Sequence, residues 1–346
     1  MNRARTPTSH ISRRKFLGVA AAAAALGTVF YFGVHRPLSG GYTLRNSRPM
    51  MGTIVNFTII GPDKESCHEA LLATVKHMEQ QGRSINRYDP DSQLSLLNKQ
   101  GFLENADPTL IKVATMSKEM SKLTDGAFDP TVLPLLALYK NVRQGGALPN
   151  REKIDRALSH IDYNSVIIDG NTIRYAKPGM GMTLDGLGKG YIVDEGVRHI
   201  NNMGFANVCI EAGGDLMVTG TKKSGQPWTI AIRNPRPDRG DEQIFLEMKN
   251  RAIATSGDYM QAFTPDRRFH HIINPQTGFS SPELASSSIL APSVAMADGL
   301  ATSTMVMGAE KSIALLNSLA DCEGFLIGKD LTTYSSKDFF KNNEKN

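Results

Sequence analysis

A carboxylate and a hydroxyl one helical turn apart are the clearest chemical feature of this sequence. In the run from Ala295 to Thr304, Asp298 and Thr302 stand at i and i+4 of a predicted helix, so their oxygens share a face. Such a pair offers two hard oxygens to Mg²⁺, which prefers oxygen ligands and keeps phosphates among its partners. A buried acid bonded to backbone is the plainer alternative. A second segment, Gly179 to Gly190, is the most glycine-dense of the chain and runs into a helix predicted to begin near Lys189. Glycines let backbone amides approach a ligand closely, and a helix N-terminus beside a lysine favours phosphate. The spacing fits neither familiar phosphate motif, since Gly190 follows Lys189 where Ser or Thr is required and Thr183 takes the place of the first glycine. A tight turn before a helix suits the segment equally well. The third segment runs from Thr255 to Tyr259 and continues through the His270-His271 pair to Gly278. Adjacent histidines lack the helical spacing of a zinc site, and in a strand only one of them faces the core. His271 is read as a general base or phosphate contact, against a merely hydrogen-bonded histidine. Tyr88, within Asn86–Ser95, and Phe128, within Thr124–Thr131, are flat side chains that could stack on a ring or fill the core.

These segments must be positioned by the elements around them. Residues 53–60 alternate as a strand, with Val55, Phe57 and Ile59 on one face. Cys67, Leu71, Val75 and Met78 repeat at helical spacing, and a second helix starts at Asp107-Pro108 and ends before Gly126. Residues 166–168 and 172–175, joined by Asp169-Gly170-Asn171, form a hairpin pattern. The helix from Lys189 stops at Gly204. Short strands follow over 207–211, 216–219, 228–233, 244–248, 252–255 and 271–273, then helices over 294–307 and 310–319 and a last strand at 325–327. Strands and helices in mixed order, with no regular βαβ repeat, predict an α+β fold with a mixed, largely antiparallel sheet.

The chain has 346 residues, 40% of them hydrophobic and 21% charged, which is ample for a buried core and excludes disorder of the whole. Its charge of +5 is misleading. Six of the 39 Lys and Arg fall in residues 1–40, which hold no Asp or Glu, leaving 33 basic residues against 34 acidic in the remainder. A nucleic-acid footprint needs clustered Lys and Arg in the folded part, and none is there. The first 40 residues read as an export signal: Arg13-Arg14 precede Phe16-Leu17, and residues 16–34 carry no charge. The arginine pair resembles a twin-arginine signal, used by proteins exported already folded. The uncharged run is just long enough to span a bilayer core of ~30 Å, so a cleaved leader and a retained inner-membrane anchor are both open. Residues 41–336 form the expected catalytic domain and 337–346 a polar tail. Cys67, Cys209 and Cys322 are too few and scattered for a disulfide framework or a zinc site and read as small buried hydrophobes, with a single disulfide also open.

Taken in order, these segments resemble the ApbE family of FAD:protein FMN transferases. The matching pieces are Met51-Gly52-Thr53, Tyr88 with Asp91-Ser92 and Ser95, Asp125–Thr131, Gly188–Tyr191, Gly213–Asp215, Thr255–Tyr259, His271–Pro275 and Ala297–Thr302. The resemblance implies an exported enzyme that binds FAD, uses Mg²⁺ and moves FMN onto a Thr or Ser hydroxyl of a target protein with release of AMP. It implies FAD contacts from Met51, Tyr88, Ala127, Phe128, Asp129, Thr183, Lys189 and Ile272, and metal ligands in the Gly186 carbonyl, Asp298 and Thr302. Asp298 then acts on the acceptor proton as well, with His271 the second candidate. Acceptors implied are flavin-carrying subunits of redox pumps or periplasmic flavoproteins. Two departures stand out: Thr183 sits where the family usually has Asp, with Asp185 two positions on, and Asn274 replaces the Asp usual before the proline. The alternatives are a Mg²⁺-dependent FAD pyrophosphatase with water as nucleophile, and an exported flavin carrier without chemistry, which would need neither Asp298 nor Thr302.

Overall fold

The computed structural model describes residues 41–142, 145–240 and 243–341. The export signal predicted over residues 1–40 lies outside them. Among the described residues no helix is long and apolar enough to cross a membrane.

Thirteen strands and eight α-helices are present among the described residues. The eight-stranded sheet has the order β1 (Tyr42–Met50), β2 (Thr53–Gly61), β6 (Asn207–Ala212), β7 (Asp215–Thr219), β10 (Arg251–Gly257), β11 (Leu284–Ala291), β12 (Glu323–Gly328) and β13 (Thr333–Ser335). Every pair in it is antiparallel, so the sheet is antiparallel throughout and not mixed. The predicted hairpin is β4 (Val166–Asp169) with β5 (Thr172–Tyr175), which β3 (Phe102–Leu103) joins. β8 (Trp228–Arg233) and β9 (Gln243–Met248) form a separate ribbon.

The sheet is covered on both faces. On one, α1 (Lys64–Arg83), α6 (Gly188–Asn202) and α7 (Val294–Met307) bury the main core, which includes Val55, Phe57, Leu71, Met78, Val193 and Leu300. On the other, the β8–β9 ribbon sets Trp228, Ile230 and Leu246 against Leu216, Val218, Ile253 and Leu290. Residues of β6, β7 and β10 therefore alternate between two buried faces, as period-2 geometry requires. α7 is apolar nearly all round and sits inside the protein, packed on β10 and β11. α2 (Gln93–Gln100), α3 (Pro108–Leu123), α4 (Leu133–Tyr139), α5 (Arg151–Leu158) and α8 (Ala309–Ser318) complete the shell.

Two expectations change, and the reading of the cysteines as small buried hydrophobes holds. Residues 271–273 are not a strand; the segment carries only isolated bridges, Ala262 to His270 and Ile273 to Ser280. Of the tail expected over 337–346, the described part through Lys341 is packed on the protein, because Phe339 is buried and stacks on Phe325 in the second core. All three cysteines are buried and free, so no disulfide forms.

One ionisable cluster sits where α1 crosses α6. The His77 and His199 rings stack at 4.5 Å beside Glu195, which Lys112 and Arg198 already engage. Partial burial, with Arg198 adding like charge, holds both imidazoles below their ordinary pKa. The unfolded chain therefore binds more protons in this window, and stability falls as pH drops through about 6.5. The expected result is that, between pH 8 and pH 5, the melting temperature of the parent loses ground relative to that of His77→Gln/His199→Gln; parallel profiles would contradict it.

Candidate functional site

The site is built at one end of the large sheet, where two tight turns and a strand end meet. Met51-Gly52 closes the β1–β2 hairpin with both residues at positive φ, 52° and 72°, the geometry of a two-residue turn that matches strand twist. Gly213-Gly214 closes β6–β7 beside it, and a Cβ on Gly213 would stand 2.7 Å from Thr53 Oγ1, so glycine is required there. Between the turns and the helices lies a polar network. Glu211 accepts from Asn56 Nδ2 at 2.5 Å and from the Gly214 N–H at 2.7 Å. Lys189, in the first turn of α6, pairs with Asp215 and donates to the Ala212 carbonyl at 3.2 Å.

α7 supplies the other half. Its N-terminus is capped by Ser293 and by Asp194 of α6, whose carboxylate accepts from the Val294 and Ala295 N–H groups at 2.7 and 2.9 Å. One turn further on is Asp298. It is buried, bonded by the Gly190 N–H, and its Oδ2 has no hydrogen-bond partner. Burial pushes its carboxyl up to about 6, opposed by the Lys189 charge, and Asp194 also rises to about 6 through burial. Burial pulls Lys189 down while Asp298 and Glu211 pull it back. Asp298, Asp215 and Glu211 thus place three buried carboxylates around one lysine.

One helical turn beyond Asp298 on α7 stands the Thr302 hydroxyl. Thr302 Oγ1 stands 3.4 Å from Ser256 Oγ, at the end of β10. Gly186 packs so closely that a Cβ there would lie 2.8 Å from the Phe128 ring and 3.7 Å from Thr302 Oγ1. Among the described residues no three His, Cys, Asp or Glu gather to hold a metal, so a cation here would rest on one carboxylate with uncharged oxygens. That set suits Mg²⁺ better than a transition metal.

The structure draws Gly186, Phe128, Lys189, Asp298 and Thr302 into this one place. Thr183 lies behind it, buried, with its N–H on the Pro130 carbonyl at 2.7 Å and its hydroxyl accepting from the Asp185 N–H at 3.2 Å. Ala127 and Asp129 flank Phe128, and Asp129 is occupied in capping the short 3₁₀ turn Pro130–Val132 through Thr131 at 2.8 and 2.6 Å. Met51 stands at the β1–β2 turn. Ile272 is buried with Leu284 and Met305. His270 takes the core position of the histidine pair, its Nε2 on the Ser281 carbonyl at 3.0 Å, while His271 is half-buried and bonds through its N–H to the Gln261 carbonyl at 3.1 Å. Ser256, Asp215, Glu211 and Arg87 received no role from the sequence. Ser256 had a signal, its place in the Thr255–Tyr259 segment; Glu211 had none, because a lone Glu at a strand end looks like a solvated one.

Fold and site together define an antiparallel α+β protein with buried carboxylates, a lysine and hydroxyls gathered at one end of its large sheet. The ApbE family model matches residues 51–326, and the chain belongs to that family. An FAD:protein FMN transferase of Vibrio cholerae is 33% identical over 281 residues, covering 78% of this chain and 83% of the relative. One of Haemophilus influenzae is 30% identical over 271 residues, covering 74% and 77%. The solved structure of the flavin transferase ApbE from Vibrio cholerae superposes with a TM-score of 0.78 at 30% identity, covering 87% of this chain and 99% of that one.

Proposed function

We propose that this protein is an FAD:protein FMN transferase: it moves the FMN half of FAD onto a Thr or Ser hydroxyl of a target flavoprotein, with Mg²⁺, and releases AMP. The observation that carries the reading is the buried Asp298 carboxylate with an unpartnered oxygen, set between Lys189 and the Thr302 hydroxyl in a chain whose relatives are named for this activity.

The residues divide the work. Asp298, Thr302 and the Gly186 carbonyl are the groups that would hold Mg²⁺. The ion would supply positive charge against the pyrophosphate oxygens as charge builds on them. Lys189 adds a fixed cation to the same end of the pocket, and Phe128 and Tyr88 supply aromatic walls. The acceptor hydroxyl oxygen attacks the FMN phosphorus, the bond from that phosphorus to the bridging oxygen breaks, and AMP leaves with the electron pair. Asp298 takes the hydroxyl proton, with His271 the other candidate.

The Arg13-Arg14 pair and the uncharged run that follows it support export to the periplasm, with the enzyme either released or anchored in the inner membrane; flavin-carrying redox-pump subunits or periplasmic flavoproteins would then be its acceptors. The test is nucleotide release with and without metal. AMP should form from FAD only when Mg²⁺ and an acceptor carrying a hydroxyl are both present, and stop on chelation. AMP and free FMN without acceptor would instead identify a pyrophosphatase, and unaltered bound FAD a carrier.

A further inference from the structure

Tyr88 is the most exposed of the large apolar side chains described, at 71%, yet it is tightly held. Its hydroxyl accepts from Arg87 Nη2 at 2.6 Å and donates to Asp185 Oδ2 at 3.2 Å. Arg87 Nε donates to that same carboxylate oxygen at 2.6 Å, and the guanidinium carbon lies 4.2 Å from the centre of the Tyr88 ring. The backbone is fixed as well: the Tyr88 N–H bonds to Asn86 Oδ1 at 3.1 Å, and Ser95 Oγ donates to the Arg87 carbonyl at 3.3 Å. Arg87 therefore covers one face of the ring, and the high exposure leaves the other to solvent. The carboxylate that closes this triangle comes from the site itself, since Asp185 precedes Gly186 and has its own N–H held by Thr183.

An ion pair this exposed contributes little to stability, which leaves orientation as what it achieves. We propose that Asp185 and Arg87 are positioning residues that hold Tyr88 edge-fixed beside the Gly186 turn, its free face a platform for a flat heteroaromatic ring of the dinucleotide. The inference rests on FAD being the substrate. It also accounts for Thr183 and Asp185 in this chain: the threonine hydroxyl orients the turn, and the aspartate two residues on does the reaching. A ring frozen before binding spares the ligand that ordering cost, so disturbing the frame should weaken binding and not chemistry.

The experiment compares Asp185→Asn, Arg87→Gln and the double variant with the parent. The readouts are FAD affinity by flavin fluorescence, KM and kcat for transfer, and melting temperature. Each single change should raise KM and the dissociation constant about 5- to 10-fold, with kcat within about twofold and melting unchanged. The double variant should be no worse than the weaker single, because the two act as one frame. Tyr88→Phe, which keeps the ring and loses its tether, should behave alike, and Arg87→Lys should not rescue, since an ammonium cannot both fork to the carboxylate and stack. Parallel titrations with FMN and with AMP identify the ring that stacks, as the one whose binding weakens. If the parent binds FAD and the variants match it, or if the single effects simply add, the positioning role is overturned and the transferase reading stands. If the parent fails to bind FAD at all, both fall.

Discussion

Replacing Asp298 with asparagine should reduce flavin transfer by on the order of 10³-fold and leave the protein at least as stable as the parent. The two effects share a cause. In the folded protein Asp298 is buried with one oxygen unpartnered, and its carboxyl is raised to about 6. A carboxyl whose pKa is higher folded than unfolded binds protons more readily when folded, so ionising it above pH 6 works against the fold. Removing the charge should therefore stabilise the metal-free protein by of order 1 kcal/mol at pH 7 to 8, read as a higher denaturant midpoint, with the gain fading towards pH 4. A carboxylate kept at a cost to stability is what a functional site displays. Destabilisation by asparagine, or an active variant, would show that Asp298 is a structural acid.

Gly190→Ala should cost about 3 kcal/mol, against its helix propensity. In the helix α6 an alanine is favoured over glycine by ~1 kcal/mol where nothing intervenes. Here the new Cβ would lie 2.6 Å from the Val294 carbonyl oxygen and 2.8 Å from the Ala295 nitrogen. Those atoms are backbone, locked in the first turn of α7 by Ser293 and Asp194, and α7 is packed on all sides. The two helices must separate, at overpacking costs of about 1–3 kcal/mol or more. The separation also moves Asp298, one turn on, so transfer should fall with stability. Gly82→Ala is the control: its Cβ would meet only the end of the Ile192 side chain at 3.4 Å, so this change should be neutral or mildly stabilising. Similar midpoints for the two variants in urea would refute the close-approach account.

How far the sequence discloses this molecule depends on which force decides each segment. Residues 166–175 declare their hairpin because Asp169-Gly170-Asn171 has turn chemistry between two apolar runs, and α7 spans Val294–Met307 as predicted because its N-cap and length are local properties. β11 does not declare itself. Its run of Ser286, Ser287 and Ser288 has no apolar alternation, yet it is a central strand buried on both faces, with Ser287 Oγ 2.7 Å from Thr304 Oγ1 and Ser288 Oγ 2.8 Å from Thr255 Oγ1. Only tertiary partners make that composition tolerable in a core. β1 hides for the opposite reason: as an edge strand it carries Arg45, Arg48 and Pro49, residues that blunt an edge and look like a linker. In the site, the Asp298 and Thr302 pairing is legible because helical spacing is local. The approach of Ser256 to Thr302 and of Asp185 to Tyr88 spans 46 and 97 residues of chain, so no periodicity could have shown either.

The central claim is that the nucleophile is a protein hydroxyl and that Asp298 serves its attack. Its most direct test is the intact mass of an acceptor flavoprotein after incubation with this enzyme, FAD and Mg²⁺, alongside Asp298→Asn and an acceptor whose target Thr is replaced by Ala. One added FMN on the intact acceptor, matched by AMP and absent from both controls, is the predicted result. An acceptor of unchanged mass in the presence of released AMP and free FMN would contradict it.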